Sequence, residues 1–505
     1  MKKNILEYLE YTACRLPDKV AFSNGEESMS FSELSASAKA IGSELLRRGL
    51  SGRAVAVFMD KHPTTLAAFF GVIYAGSYYV CLDSSMPDDR IKTILESVDA
   101  AAVISDKRNS KRAGTLGVDA VFDYSDVSAA VLDKSLLANA RARQIDTDPI
   151  YVVFTSGSTG TPKGVVACHR SVIDYTEALC SSLGFSENTV FGNQTPLYFD
   201  APLKEIMPTL ALGATTYFIP KMLFMFPVKL IEYLNKYRIN TVCWVVSALA
   251  QISKLGALDV CRPEYLTTVA FGSEVFLKVD YNKWRAALPN ARFINLYGPT
   301  EATGMSAFWI ADRELDENEP IPIGRPFDNT DIMLITEDKK RAERGEDGEI
   351  YIRGTCVTMG YFNNPEKTSE AFVQNPLNSA YGEIVYRTGD IGRYNEHGEL
   401  VFVTRRDSQI KHMGHRIELG EIEAVASAIP EIKGSCAVYD SERQRIVLFY
   451  VGETGETEIN GYLAKKLPRY MMPAALIKLA RMPFTPNGKL DRKSLKERAM
   501  ANGLE

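Results

Sequence analysis

Short β-branched and aromatic runs alternate with helix-period segments along most of this chain, and few architectures accept that rhythm. Residues 54–59 read as a strand, Pro63–Tyr74 as a helix and 79–82 as a strand. Residues 90–97 then read as a helix and 101–104 as a strand, and the same order returns at 215–219, 227–237 and 241–246. Strands separated by helices pack as βαβ units around largely parallel sheets. After about residue 345 the texture changes: Gly348–Gly354 and 398–403 look like short antiparallel strands with glycine turns. The last segment opens with a charged, glycine-marked stretch. It continues as a helix at 420–429 and strands at 434–439 and 445–450. A charged linker ahead of a new, small α/β pattern sets a domain boundary near Asp407, dividing 1–406 from 407–505.

Composition narrows the function classes. A chain of 505 residues has room for roughly two to four domains or subdomains. The formal net charge is −5 and no basic stripe stands out, which argues against nucleic acid as the main partner. The eight cysteines are scattered with no Cys-x-x-Cys pair, as in a reduced, cytoplasmic enzyme. Of the five histidines only His412 and His415 are close together. Lys411, Gly414 and Arg416 around them speak against a metal site. The N-terminus has no apolar core of a signal peptide and reads as an amphipathic helix. The most membrane-like stretch, 64–82, is interrupted by Gly71, Gly76 and Ser77. It reads as a buried helix ending at Gly76 and then a strand, with no membrane partner implied.

The segment Phe154-Thr155-Ser156-Gly157-Ser158-Thr159-Gly160-Thr161-Pro162-Lys163-Gly164 follows the buried-strand pattern Ile150-Tyr151-Val152-Val153. A strand opening into a small, hydroxyl- and glycine-rich loop suits a polyphosphate. Its glycines let the backbone approach, its amides and hydroxyls donate to phosphate oxygens, and Lys163 adds a point charge. The spacing is not that of the Walker loop, which needs Gly-Lys followed by Ser or Thr; here Pro162 precedes Lys163 and Gly164 follows it. A plain surface loop is the other reading of such a cluster.

Four more motifs follow in order. They are Asn295-Leu296-Tyr297-Gly298-Pro299-Thr300-Glu301, then Tyr386-Arg387-Thr388-Gly389-Asp390, then Lys411-x-x-Gly414-x-Arg416-Ile417-Glu418-Leu419-Gly420-Glu421-Ile422-Glu423, and Pro486-Asn487-Gly488-Lys489-Leu490-Asp491. Together the set resembles the adenylate-forming superfamily of acyl-CoA synthetases, luciferases and adenylation domains of nonribosomal peptide synthetases. The resemblance runs over essentially the whole chain. Within the superfamily the chain looks most like amino-acid-activating domains, including free-standing D-alanine–carrier-protein ligases.

The resemblance implies an α/β fold. A large N-terminal domain of stacked αβ subdomains would carry a small β-barrel-like subdomain, followed by a small, mobile α+β C-terminal domain. It implies ATP and Mg²⁺, with a carboxylate attacking the α-phosphate and pyrophosphate leaving. Glu301 is a hard oxygen ligand suited to Mg²⁺; taken alone it reads as a carboxylate at a helix start. Tyr297 would stack on adenine and Asn295 would bond its edge, within the string that also holds Gly298 and Thr300. Asp390 would accept from the ribose hydroxyls, although an isolated aspartate there reads as a turn residue. Arg405 would reach ribose or phosphates; Thr404 departs from the family's usual glycine. Thr155 and Lys163 join Glu301 and Lys489 as catalytic candidates, and Ser156, Gly157, Ser158, Thr159 and Gly160 would cradle phosphate. Lys489, which alone would read as a solvated surface lysine, would swing in to bridge the carboxylate and α-phosphate, with Asp407 as the hinge. A pantetheine thiol would then attack the acyl-adenylate. The chain stops shortly after Lys489, so the expected acceptor is a separate carrier protein, or coenzyme A.

The stretch from Leu197 to Glu205, with Phe199 in it, resembles the pocket entry of the peptide-synthetase branch, where the aspartate pairs with the substrate α-ammonium. Asp200 therefore favours an amino acid; its other reading is a helix cap ahead of Pro202. By motif alignment the pocket also takes in Ala201, Lys204, Trp244, Ala270, Gly272, Leu296, Gly304 and Met305. Lys204 is unusual in such a place. Buried, it calls for a negative partner and suggests an acidic or strongly polar substrate; otherwise it pairs with Glu205 or reaches solvent. The rival function is an acyl- or aryl-CoA synthetase.

Overall fold

The computed structural model describes residues 2–157, 161–316, 319–483 and 490–501. The chain separates into two compact units. One comprises Met1–Asp83, Val98–Val153 and Gly164–Arg406, the other Ser84–Ser97, Phe154–Lys163 and Asp407–Glu505. The division after Arg406 stands at the charged linker. The second unit also takes in two short pieces from the first half of the chain, which a single cut in the sequence cannot represent.

The repeated strand–helix rhythm becomes two sheets. A six-stranded sheet runs Val121–Asp123, Ala102–Ser105, Ala54–Phe58, Tyr78–Cys81, Pro149–Thr155, Lys163–Cys168. Its first five strands pair in parallel. A nine-stranded sheet has a parallel centre of Arg292–Tyr297, Thr268–Gly272, Thr241–Val245, Val190–Asn193, Thr215–Phe218 and Val20–Ser23, with antiparallel strands at both edges. Helices start where local chemistry provides for their unpaired amides. Ser30 and Glu33 form a reciprocal capping box for Phe31–Arg47. The membrane-like stretch is the helix Pro63–Tyr74, buried all round except at Thr64, with Gly76 at φ +71° behind it.

Because side chains alternate across a strand, the nine-stranded sheet feeds two separate cores. Cys243, Ala270, Ile294 and Leu296 pack on one side with Tyr175, Leu203, Met207 and Met305. Trp244, Phe271 and Phe293 pack on the other with Leu249 and Trp284. A separate antiparallel sheet of Thr330–Ile335, Gly348–Gly354, Ile384–Tyr394, Phe372–Gln374 and Leu400–Arg405 completes the first unit. In the second unit the sheet Ile432–Asp440, Arg445–Gly452, Ala475–Lys478 packs with helices Leu419–Ser427, Glu456–Lys466 and Arg492–Ala501, beside the hairpin Gln409–His412 and His415–Glu418. No helix among the described residues is long and apolar enough to cross a membrane.

Candidate active site

Strand Val190–Asn193 runs out of the nine-stranded sheet into the segment that carries Asp200. The following helix, Leu203–Leu212, is entered through Pro202 with no side-chain cap, so Asp200 does not serve as one. Its carbonyl closes the entry turn by accepting from Leu203 N at 2.9 Å. Thr300 is among the groups that favour its charged form. Gly304, at φ +90°, borders it: a Cβ there would stand 3.1 Å from Asp200 Oδ2. Desolvation pushes the Asp200 carboxyl above its usual range, opposed by Thr300 and by the Lys204 ammonium. The Tyr151 and Tyr175 rings lie in the field of this carboxylate. The Tyr151 hydroxyl is buried and has no partner among the described residues.

Behind Asp200 lies a group of buried charges. Lys204 is 2% exposed and Glu205 fully buried. The Lys204 ammonium has no hydrogen-bond or ion-pair partner among the described residues, Glu205 included. Glu205 instead accepts from Asn193 Nδ2 at 3.1 Å. Burial raises its carboxyl to about 7, against the pull of Lys204, Asn193 and Lys61. Lys61 donates to the carbonyls of Asn193 at 3.0 Å and Gln194 at 3.1 Å. Burial pushes its ammonium down to about 7, opposed by Glu205. Lys61 carries no signal in the sequence: flanked by Asp60 and His62, it looks like surface.

Farther along the first unit, Tyr297 and Asp390 meet. The Tyr297 hydroxyl donates to Asp390 Oδ2 at 2.6 Å, and Arg405, directly opposite Asp390 on the neighbouring strand, ion-pairs with the same carboxylate. Arg405 also donates to the Thr388 carbonyl at 3.2 Å. Asn295 sends its amide to the Pro322 carbonyl at 2.8 Å. Glu301 stands in the short turn Thr300–Ala302, fully buried. The Tyr361 hydroxyl donates to Glu301 Oε1 at 2.7 Å, and Thr358 holds the Glu301 carbonyl through its amide at 2.9 Å and its hydroxyl at 3.0 Å. Tyr361 lies 60 positions away from Glu301, and no spacing in the sequence marks it. Among the described residues no group of three or more His, Cys, Asp or Glu could hold a metal. One hard carboxylate does fit a Mg²⁺ that arrives on a polyphosphate, since such an ion keeps waters and phosphate oxygens as its other ligands.

In the second unit the start of the glycine-rich loop is engaged by the segment after the hairpin. Ser156 Oγ donates to the Arg416 carbonyl at 2.8 Å and accepts from Glu418 N at 3.1 Å. Gly157 N donates to Glu421 Oε2 at 3.1 Å, and Glu421 is paired with Arg90. Lys163 stands 3.9 Å from Glu418 Oε1. The Thr155 hydroxyl is buried without a partner among the described residues. Asp407 accepts from Gln409 N at 3.2 Å. Ser158, Thr159, Gly160 and Lys489 lie outside the described residues.

The pocket residues read from motif spacing do not all gather. Ala270, Leu296 and Met305 share the core that also holds Leu203 from the helix behind Asp200. Gly272 pairs in register with Leu296, and Phe199 packs on Tyr198 with ring centroids 4.6 Å apart. Trp244 is on the opposite face. Its indole N–H donates to the Gly192 carbonyl at 2.6 Å and its ring meets Phe224 edge-on. Cys243 takes the place expected of it, in the field of Lys204 and Glu205. A shift of one residue along a strand changes the face, and loose motif spacing does not resolve that shift.

A family model described as AMP-binding enzyme matches residues 9–362, and one described as AMP-binding enzyme C-terminal domain matches residues 421–489. The chain is 32% identical over 505 residues to tyrocidine synthase 1 of Brevibacillus parabrevis, covering 98% of this chain and 45% of the relative. It is 29% identical to gramicidin S synthase 1 of Brevibacillus brevis, covering 99% of this chain and again 45% of the relative. It thus spans less than half the length of these two proteins. Among solved structures, IdnL1 matches with a TM-score of 0.82 at 25% identity, covering 95% of this chain and 99% of that one. The Vibrio cholerae adenylation domain AlmE, solved with glycyl-adenosine-5'-phosphate, shares the fold: TM-score 0.85, 19% identity, 99% of this chain and 98% of that one. The ordered motifs, the two-unit α/β architecture and the matched family models agree: the chain belongs to the AMP-binding enzyme family, within the adenylate-forming superfamily.

Proposed function

We propose that this chain joins an amino acid to AMP and passes the acyl group to a phosphopantetheine thiol on a separate carrier protein. In the first step a substrate carboxylate oxygen bonds to the α-phosphorus of ATP, and the bond to the β-phosphate oxygen breaks, releasing pyrophosphate. In the second the thiol sulfur bonds to the acyl carbon, the bond to AMP breaks, and the thiol proton goes to solvent. The observation that carries the amino-acid reading is Asp200, a carboxylate free of capping duty and set against buried polar groups. A substrate ammonium entering such a place requires a counter-charge, which Asp200 supplies. Two findings about similar proteins support the reading. The family's curated relatives include tyrocidine synthase 1, and a structural neighbour at 23% identity is described as containing adenylation and PCP domains.

The remaining roles follow the family pattern. Asp390 and Arg405 would hold the ribose end of the nucleotide, Tyr297 would line the adenine site, and Glu301 would hold Mg²⁺. When bound, that ion neutralises charge on the phosphate oxygens. Lys489 would place a point charge between the attacking carboxylate and the α-phosphate.

ATP–pyrophosphate exchange across D- and L-amino acids, aryl acids and fatty acids tests the reading. Exchange is expected with an amino acid. Response to aryl or fatty acids alone would assign the chain to the CoA-synthetase branch instead. Lys489→Ala is expected to abolish adenylate formation while ATP binding survives; unchanged turnover would remove Lys489 from the mechanism. Acyl transfer is expected to a pantetheinylated carrier supplied as a separate protein and not to free coenzyme A.

A further inference from the structure

We infer that Arg492 is a positioning residue for Lys489, acting by fastening the chain just behind that lysine onto Glu423; this rests on the catalytic role proposed above for Lys489 and deepens it.

Lys489 stands three positions before Arg492, so at most about 11 Å of chain separates their Cα atoms. That short tether is fixed at several points within the second unit. Leu490 packs against the core that holds Phe449 and Leu495. Asp491 N donates to the Pro483 carbonyl at 3.0 Å, which joins the two ends of the stretch that carries Lys489. The Asp491 carboxylate accepts from Ser494 N at 3.0 Å, in the manner of a helix cap, and helix Arg492–Ala501 starts there.

Arg492 then sets where this piece sits. Its Nη1 donates to Glu423 Oε1 at 2.5 Å and its Nη2 to Glu423 Oε2 at 2.7 Å, a two-pronged pair. Glu423 belongs to helix Leu419–Ser427, and its Oε1 also accepts at 2.8 Å from the amide of Ala437, on strand Ile432–Asp440. The Ala437 carbonyl accepts from Arg492 Nη1 at 3.4 Å. One guanidinium thus gathers the helix, the strand and the chain that follows Lys489.

The value of the pair lies in direction more than in stability. The Arg492 side chain is 41% exposed, and ion pairs that reach water contribute modestly to folding. Two parallel bonds fix the plane of the guanidinium, which a lone ammonium cannot do. Direction matters to Lys489, whose point charge has to stand between two reacting groups. A misplacement of about 1 Å costs a reaction on the order of 100-fold.

The test measures pyrophosphate exchange by the intact chain, with the amino acid that gives the fastest exchange in the wild type. Arg492→Met is expected to lower kcat on the order of 100-fold. KM for ATP and for the amino acid should stay within about twofold of the wild type, and Tm within about 4 °C. Arg492→Lys keeps the charge and loses the fork, and is expected to stay at least about tenfold below the wild type. Unchanged exchange in Arg492→Met, or KM values that rise and a Tm that falls along with kcat, would reduce the pair to a structural tie and overturn the inference. Full activity in Arg492→Lys would overturn it too. Should Arg492→Met not fold, Glu423→Gln undergoes the same measurements and the same outcomes decide. Wild-type turnover in Lys489→Ala would remove the role of Lys489 and this inference with it, whereas loss of exchange in Lys489→Ala alone removes only the inference.

Discussion

The Tyr361 hydroxyl donates to Glu301 Oε1 at 2.7 Å, and the carboxylate it holds is fully buried. A hydrogen bond from outside the ligand sphere fixes the direction in which a carboxylate presents its free oxygen. Tyr361→Phe removes one donor from a buried anion, a loss of roughly 1–3 kcal/mol. The Mg²⁺ concentration for half-maximal pyrophosphate exchange is expected to rise about tenfold. KM for ATP at saturating Mg²⁺ should stay put. A magnesium titration of the variant reads both.

Asp390 gathers Tyr297 and Arg405 on one carboxylate. Asp390→Ala takes the carboxylate away from both, and breaking a buried pair costs about 3–5 kcal/mol. KM for ATP is expected to rise on the order of 100-fold, while KM for the amino acid changes little. Steady-state kinetics with each substrate varied in turn checks that split.

Gly298 allows no side chain. A Cβ there would lie 2.5 Å from Met305 Cα, 2.6 Å from Gly304 O and 2.7 Å from Ser306 N. All three are backbone atoms, so the chain must move. That movement falls on the loop between Glu301 and Met305. Gly298→Ala is expected to reduce exchange at least about tenfold, since small misplacements of catalytic groups are costly. A circular dichroism spectrum like the wild type's would show that the loss is local.

His169 predicts an acid-side stability loss. It is buried, its Nδ1 accepts from Ile5 N at 3.2 Å, and burial, with Arg141 nearby, pushes its imidazole down to about 3. In the unfolded chain it titrates near 6.5, so between these values the unfolded state binds more protons. The contribution is present above about pH 6.5 and drains away as pH falls toward 3, by on the order of 3–5 kcal/mol in full. His169→Gln has no such proton to take up. The drop in Tm from pH 7 to about pH 4.5 is expected to be shallower in the variant than in the wild type.

The alternating strand and helix patterns were readable because burial imposes a period of two on strands and about 3.6 on helices. Pro63–Tyr74 shows how far that goes: proline at its first turn and glycine just beyond its end mark both limits of the helix. Motif order carried the family, because each motif is a short contiguous stretch. Partnerships between distant segments were not readable. Tyr361 reaches Glu301, and Lys61 reaches the carbonyls of Asn193 and Gln194, only through folding.

By itself, then, the sequence determined the fold class, the family and the chemical types available at each motif, all properties of neighbouring residues. Only the tertiary structure decided which side chains face one another. It turned Trp244 into the opposite core and set Cys243 in its place. It released Asp200 from capping and buried Lys204 and Glu205 together. The reason is geometric: a strand changes face at every residue, and a buried charge is defined by groups that arrive from elsewhere in the chain.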